Sequence, residues 1–210
     1  MANDACGEDC QGLSLKTIDI AYGNLSFEVH AARTIIKVMC NDVYDPFVDL
    51  VKFVDNIPHG GDQKLTIFSG KSPAIEFGLQ DGPTSGQCRL IIKGAEPGDH
   101  VPAISITGER SVLQGTFKAF LSDVADHAYF AHMWVCFMGC GTDGEAVLTK
   151  AESLWKQGVK DGKWTEDFDA QEEFGARYFV ENYKLTGDEE QHVIAYRKML
   201  TNLIVPKGWK

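Results

Sequence analysis

Residues 101–124 read Val101-Pro-Ala-Ile-Ser-Ile-Thr-Gly-Glu-Arg-Ser-Val-Leu-Gln-Gly-Thr-Phe-Lys-Ala-Phe-Leu-Ser-Asp-Val124, and the hydrophobic period changes inside them. Ile104 and Ile106 flank Ser105, the alternation of a half-buried strand, so Val101–Thr107 is expected to be extended. From Ser111 the apolar residues Val112, Leu113, Phe117, Phe120, Leu121 and Val124 fall at three- and four-residue intervals, the stripe of an amphipathic helix. The chain thus switches from strand chemistry to helix chemistry near residue 108. That ordering predicts an α+β fold.

Upstream of the switch the strand signal repeats. Leu13–Ile20 is an expected strand whose alternation slips near Thr17, and Tyr22-Gly23-Asn24 supplies a turn. Leu25, Phe27 and Val29 then alternate with Ser26, Glu28 and His30, one face dry and one wet. Arg33–Cys40 is a third run, and three runs with short breaks predict an antiparallel meander. Further strands are expected at 64–69, 74–79 and 87–93. One helix interrupts them. Asp45 is its expected cap, Pro46 its first position and Asp49 its first turn, with Phe47, Leu50, Val51 and Val54 on one face. The sum is a mainly antiparallel sheet of about six to seven strands covered by helices.

Downstream, Gly139-Cys140-Gly141 is the strongest break, which divides the chain into a flexible N-terminus (1–12), a sheet domain (13–141) and a helical C-terminal segment (142–210). Helices are expected near 144–157, 166–184 with Thr165 as cap, and 188–204 stopped by Pro206. As an antiparallel set they are expected to bury Leu148, Leu154, Trp155, Phe174, Phe179, Tyr183, Val193, Tyr196, Leu200 and Leu203 together.

Charge narrows the function classes. Thirty acidic residues face twenty basic ones, a formal net charge of -10. Such a field repels phosphate backbones and anionic membrane surfaces, and speeds encounter with a basic partner. The acidity is locally dense in Asp161–Glu173, where Asp161, Glu166, Asp167, Asp169, Glu172 and Glu173 meet only Lys163. Part of that density is accounted for by the helix dipole, which favours acids in a first turn. The opening residues carry acids and no apolar core, unlike a secretory signal. The most apolar run, Ala128–Met138, is too short for a bilayer, which takes about twenty residues. A cytoplasmic protein with reduced thiols is the expectation.

Reactive-group signatures are sparse. His132, Cys136 and Cys140 stand at i, i+4 and i+8, which a continuous helix would align, and Cys6 and Cys10 repeat the step. These are zinc-type ligands, but the tighter Cys-x-x-Cys knuckle is missing and no metal or other cofactor is assigned. No Gly-x-Ser-x-Gly elbow, phosphate loop or dinucleotide fingerprint occurs. His59 and His100 sit in Gly-rich loops beside Asp62 and Asp99, and these four are the candidates for a loop-built enzyme site.

Residues 13–127 carry a further pattern. Short strands lead into Asp45-Pro-Phe-x-x-Leu-x-x-Phe53. Ala74-Ile-Glu-Phe-x-Leu79, Leu90-Ile-Ile92, Ile104-Ser-Ile106 and Phe117-x-x-Phe-Leu121 follow. In element order this resembles the immunity-type proteins with which bacteria neutralise their own polymorphic toxins, the Wap-type group. The resemblance implies a protein-binding role and transfers no catalytic residue. The leading expectation is therefore a non-enzymatic module that engages a basic protein, plausibly a toxin, through Glu166, Asp167, Asp169, Glu172 and Glu173. The competing expectations are the loop-built enzyme and a structural subunit of a larger assembly.

Overall fold

The computed structural model describes residues 8–9, 12–31, 33–41, 44–69, 72–94 and 103–209. Eight strands and five α-helices follow one another: β1 (Glu8–Asp9), β2 (Leu13–Ala21), β3 (Asn24–Ala31), β4 (Thr34–Asn41), α1 (Phe47–Asn56), β5 (Gln63–Ser69), β6 (Ser72–Asp81), β7 (Gln87–Gly94), β8 (Ile104–Glu109), α2 (Arg110–Asp126), α3 (Gly141–Lys160), α4 (Phe168–Asn182) and α5 (Gly187–Asn202). The α+β class and the seven expected strands are present. They form two sheets rather than one: a meander β2-β3-β4, and a sheet of order β1-β8-β7-β6-β5. All pairings are antiparallel except β1 with β8, where Glu8 and Asp9 lie opposite Ile106 and Thr107. Glu8–Asp9 falls within the segment expected to be flexible.

The alternating residues do what their period demands. Leu25, Phe27, Val29 and Ala31 of β3 are buried, while Ser26, Glu28 and His30 face outward. The slip expected at Thr17 is a bulge: the β2–β3 register shifts between Thr17 and Asp19. Tyr22 and Gly23 close that hairpin with φ of 50° and 72°. Both central residues being left-handed is the backbone of a turn that matches strand twist.

Helix α2 joins the two sheets. Phe120 packs on Phe27 of β3 at 5.0 Å between ring centroids, and Phe117 packs on Phe77 of β6 at 5.7 Å. Phe117 also meets Phe53 of α1 at 5.7 Å. Val112, expected on this stripe, is exposed, because the apolar arc of α2 narrows to Leu113, Phe117, Phe120, Leu121 and Val124. Its first residue, Arg110, is 6% exposed and donates from Nη1 to the Ile57 carbonyl at 2.7 Å and from Nη2 to Asp81.

The three C-terminal helices share this core. Phe130 contacts Phe47 of α1 and Tyr196 of α5, and one buried cluster runs from Leu13 to Leu203. Of the expected helical core, Trp155, Phe179, Tyr183, Val193, Tyr196, Leu200 and Leu203 are buried. Leu148, Leu154 and Phe174 are half-buried at the edge of the α3–α4 pair. Caps are shifted by a residue or two from expectation. Asp45 accepts from the Phe47 N–H at 2.8 Å with Pro46 as the capping position. Asp167, not Thr165, caps α4, and Thr186 with Glu189 forms a capping box on α5.

Candidate functional site

The acidic residues expected to make contact are gathered by α4. Asp167 takes an extended conformation and its Oδ1 accepts from the Ala170 N–H at 3.0 Å, which starts the helix there. Asp169 follows in the first turn, where the exposed N–H groups favour negative charge. Glu166, Asp167, Asp169, Glu172 and Glu173 are all exposed, and none forms an ion pair with a lysine or arginine among the described residues. Glu76 bridges Lys64 and Lys93 and Glu152 holds Lys156, whereas Asp55, Asp62, Asp123, Glu145 and Glu190 also have no lysine or arginine ion partner among the described residues. What sets this segment apart is density, five carboxylates within residues 166–173.

The acids within α4 and those just before it border different clefts. Asp169, Glu172 and Glu173 border a cleft of about 570 Å³ completed by Asp19 of β2 and by His127 and Tyr129 beyond α2. Glu166 and Asp167 border a second cleft of about 420 Å³, walled by Trp155, Val159 and Phe168. A third, of about 250 Å³, lies between α3 and α4 beside Tyr22, Trp155, Phe168 and Glu172. Phe168 is 71% exposed, an apolar ring standing in water amid carboxylates.

The sheet fixes the position of α4. The Tyr22 hydroxyl donates to the Glu172 carbonyl at 3.0 Å, and burial, then the Glu172 charge, pushes the phenol up to about 12. Sequence reading missed Asp19, Tyr22, His127 and Tyr129. Each is remote in sequence from α4, and no local pattern announces the contact.

The alternative site does not gain support from geometry. His59 ends a 3-10 turn (Ile57–His59) and is exposed, as is Asp62; Asp99 and His100 lie outside the described residues. The glycines between them serve the backbone. Gly60 and Gly61 have φ of 79° and 80°, and the Gly61 N–H donates to Asp81, the carboxylate that also meets Arg110.

The i, i+4, i+8 alignment of His132, Cys136 and Cys140 fails. Phe130–Val135 winds as a π-helical turn and Phe137–Gly139 as a 3-10 turn, so the residues do not keep α-helical spacing. Among the described residues no three His, Cys, Asp or Glu side chains converge to hold an ion; Cys6 and Cys10 lie outside them. Cys40, Cys136 and Cys140 form no disulfide among the described residues. Burial, then the charges of Glu189 and Cys140, pushes Cys136 up to about 12, which makes it an inert thiol rather than a nucleophile. Nearby, the Tyr183 hydroxyl donates to Glu189 at 2.8 Å, locking the start of α5 to the end of α4.

Among the described residues no helix is long and apolar enough to cross a membrane. Comparison with protein-family models, curated proteins and solved structures finds no match.

Proposed function

We propose that this chain is a non-enzymatic binding module that captures a basic protein through the acidic surface of α4. The observation that carries the reading is the set of five exposed carboxylates, unpaired among the described residues, bordering clefts on both sides of one helix. A surface of that sign steers a cationic partner, and the counter-charge each carboxylate gains on contact offsets the cost of desolvating it. The resemblance in element order to Wap-type immunity proteins supports a toxin or similar effector as the partner, met in the cytoplasm. The reactive groups support contact over chemistry: the shifted cysteines are raised, away from the thiolate form, and His59 and Asp62 are both exposed to solvent.

The test is affinity capture from native lysate at low salt, followed by calorimetry on the recovered protein. A basic partner is expected, with affinity that falls as salt rises and drops at least about tenfold in the double variant Glu172→Lys/Glu173→Lys. Recovery of no partner, or a complex indifferent to both salt and charge reversal, rejects the reading.

A further inference from the structure

The second face of α4 is aromatic, and it is built. Trp155 of α3 and Trp164 of the α3–α4 connection stack at 5.0 Å with planes 9° apart. Phe174 leans on both, at 5.6 and 5.0 Å. Gly158 makes room for this: a Cβ there would overlap the Trp164 ring. Trp164 nevertheless remains 36% exposed, and beyond it stands Phe168 at 71%. Phe168 and Trp155 border both the 420 Å³ and the 250 Å³ clefts, so Phe168 is a ridge between two cavities with a common wall.

Both cavities combine carboxylates with apolar side chains. The larger has Glu166 and Asp167 at its rim, and its one cation, Lys156, is already held by Glu152. Carboxylates beside the exposed Phe168 ring suit a guanidinium, which donates to paired oxygens from its edge while stacking its plane on a ring. The molecule already shows the stacking half of this: the Arg177 guanidinium carbon sits 5.9 Å from the Phe174 ring centroid. The smaller cavity has Glu152 and Glu172 in its lining as well, but Leu148, Ala151 and Trp155 give it an apolar wall that suits an aliphatic side chain.

We infer that the α3–α4 groove docks a partner segment presenting an arginine and an aliphatic side chain on one face, the two straddling Phe168. This rests on the contact reading above and names the chemistry of its partner. The arginine lies between the exposed Phe168 ring and the carboxylates of Glu166 and Asp167. The aliphatic group fills the space beside Leu148. Phe168 is covered by the segment between them, and its burial is the apolar gain of binding.

The probe is a short blocked peptide repeating Arg-Ala-Ala-Leu, titrated calorimetrically into the full chain at low salt, with tryptophan fluorescence as a second readout. Binding is expected. Phe168→Ala, an exposed position whose loss leaves the far-ultraviolet spectrum unchanged, is expected to weaken it at least about tenfold. Peptides with Lys for Arg, or Ser for Leu, are expected to bind severalfold more weakly. Equal affinity for Phe168→Ala and the parent overturns the groove. If Glu172→Lys/Glu173→Lys still abolishes partner capture in that case, the contact reading stands without it. No binding of the peptide to the parent protein also overturns the groove, as does a doubled native mass that Phe168→Ala returns to one chain.

Discussion

The Tyr22 hydroxyl and the Glu172 main-chain carbonyl meet at 3.0 Å, joining the β2–β3 turn to the helix that carries the acidic surface. Two further features hold the tyrosine in place. Its backbone is left-handed, with φ of 50°, and the neighbouring Gly23 N–H donates to the Met133 carbonyl at 2.7 Å. Gly175, three residues along α4, leaves the space the phenol occupies.

This arrangement predicts a change of sign. A Cβ at Gly175 would collide with the Tyr22 hydroxyl, yet would lie 3.6 Å from the ring carbon that bears it, an ordinary contact. Gly175→Ala alone is therefore expected to destabilise, since the hydroxyl must leave its bond, by about 1 kcal/mol or more. In a Tyr22→Phe background the same substitution is expected to stabilise by up to about 1 kcal/mol, the ordinary preference of a helix for alanine. Urea unfolding of the four proteins of this cycle measures it.

Gly158→Ala tests the aromatic wall. The added methyl displaces Trp164 from Trp155. Loss of near-ultraviolet circular dichroism and a cost of about 1 to 3 kcal/mol are expected, from the lost ring pair and the burial it provides. An unchanged spectrum would contradict the packing described.

Arg110 is the buried cation among the described residues, and its partners differ in exposure. Asp81 is open to solvent, whereas Ile57 is fully buried. Arg110→Ala is expected to cost about 2 to 3 kcal/mol, chiefly by leaving the Ile57 carbonyl without a donor and emptying the space of the arginine stem. Asp81→Asn keeps an acceptor for Nη2 and is expected to cost less. Thermal melts of both variants rank them.

Acid stability is expected to decline in two stages. Burial holds the His132 imidazole below the ordinary histidine value, against the opposing pull of the Tyr183 backbone and the Glu189 charge. Between that ordinary value, about 6.5, and the lower folded one, only the unfolded chain takes up a proton, so stability falls as pH falls. Glu189 follows at lower pH. Burial raises it, but bonds from the Thr186 backbone and the Tyr183 hydroxyl outweigh this and hold it below the usual carboxylate range. Its contribution is full above that range and is lost as pH falls through the folded value. Urea midpoints across the range check this. His132→Gln should flatten the upper stage and Glu189→Gln part of the lower.

Much of this was legible in local pattern. The alternation of Leu25, Phe27 and Val29 specified a strand with one dry face, and the slip at Thr17 specified a bulge, because side-chain direction in a strand has a period of two. The stripe on α2 and the acids of Asp161–Glu173 were equally visible. Misplaced were the caps: Thr165 and Asp167 are both good cap residues, and which one starts the helix depends on where α4 can pack. The His132–Cys136–Cys140 alignment assumed a uniform helix, and the π-helical turn removed it.

The sequence by itself determined the succession of strands and helices, their buried faces and the sign of the surface, since periodicity, turn chemistry and charge act over a few residues. Only the tertiary structure decided that the strands part into two sheets bridged by Phe117 and Phe120. It also decided that Asp19 and Tyr22 come to flank α4, and that Phe168 is left in water between two cavities. Those outcomes depend on which buried faces fit one another across long stretches of chain, and close packing of side chains, not local preference, selects among them.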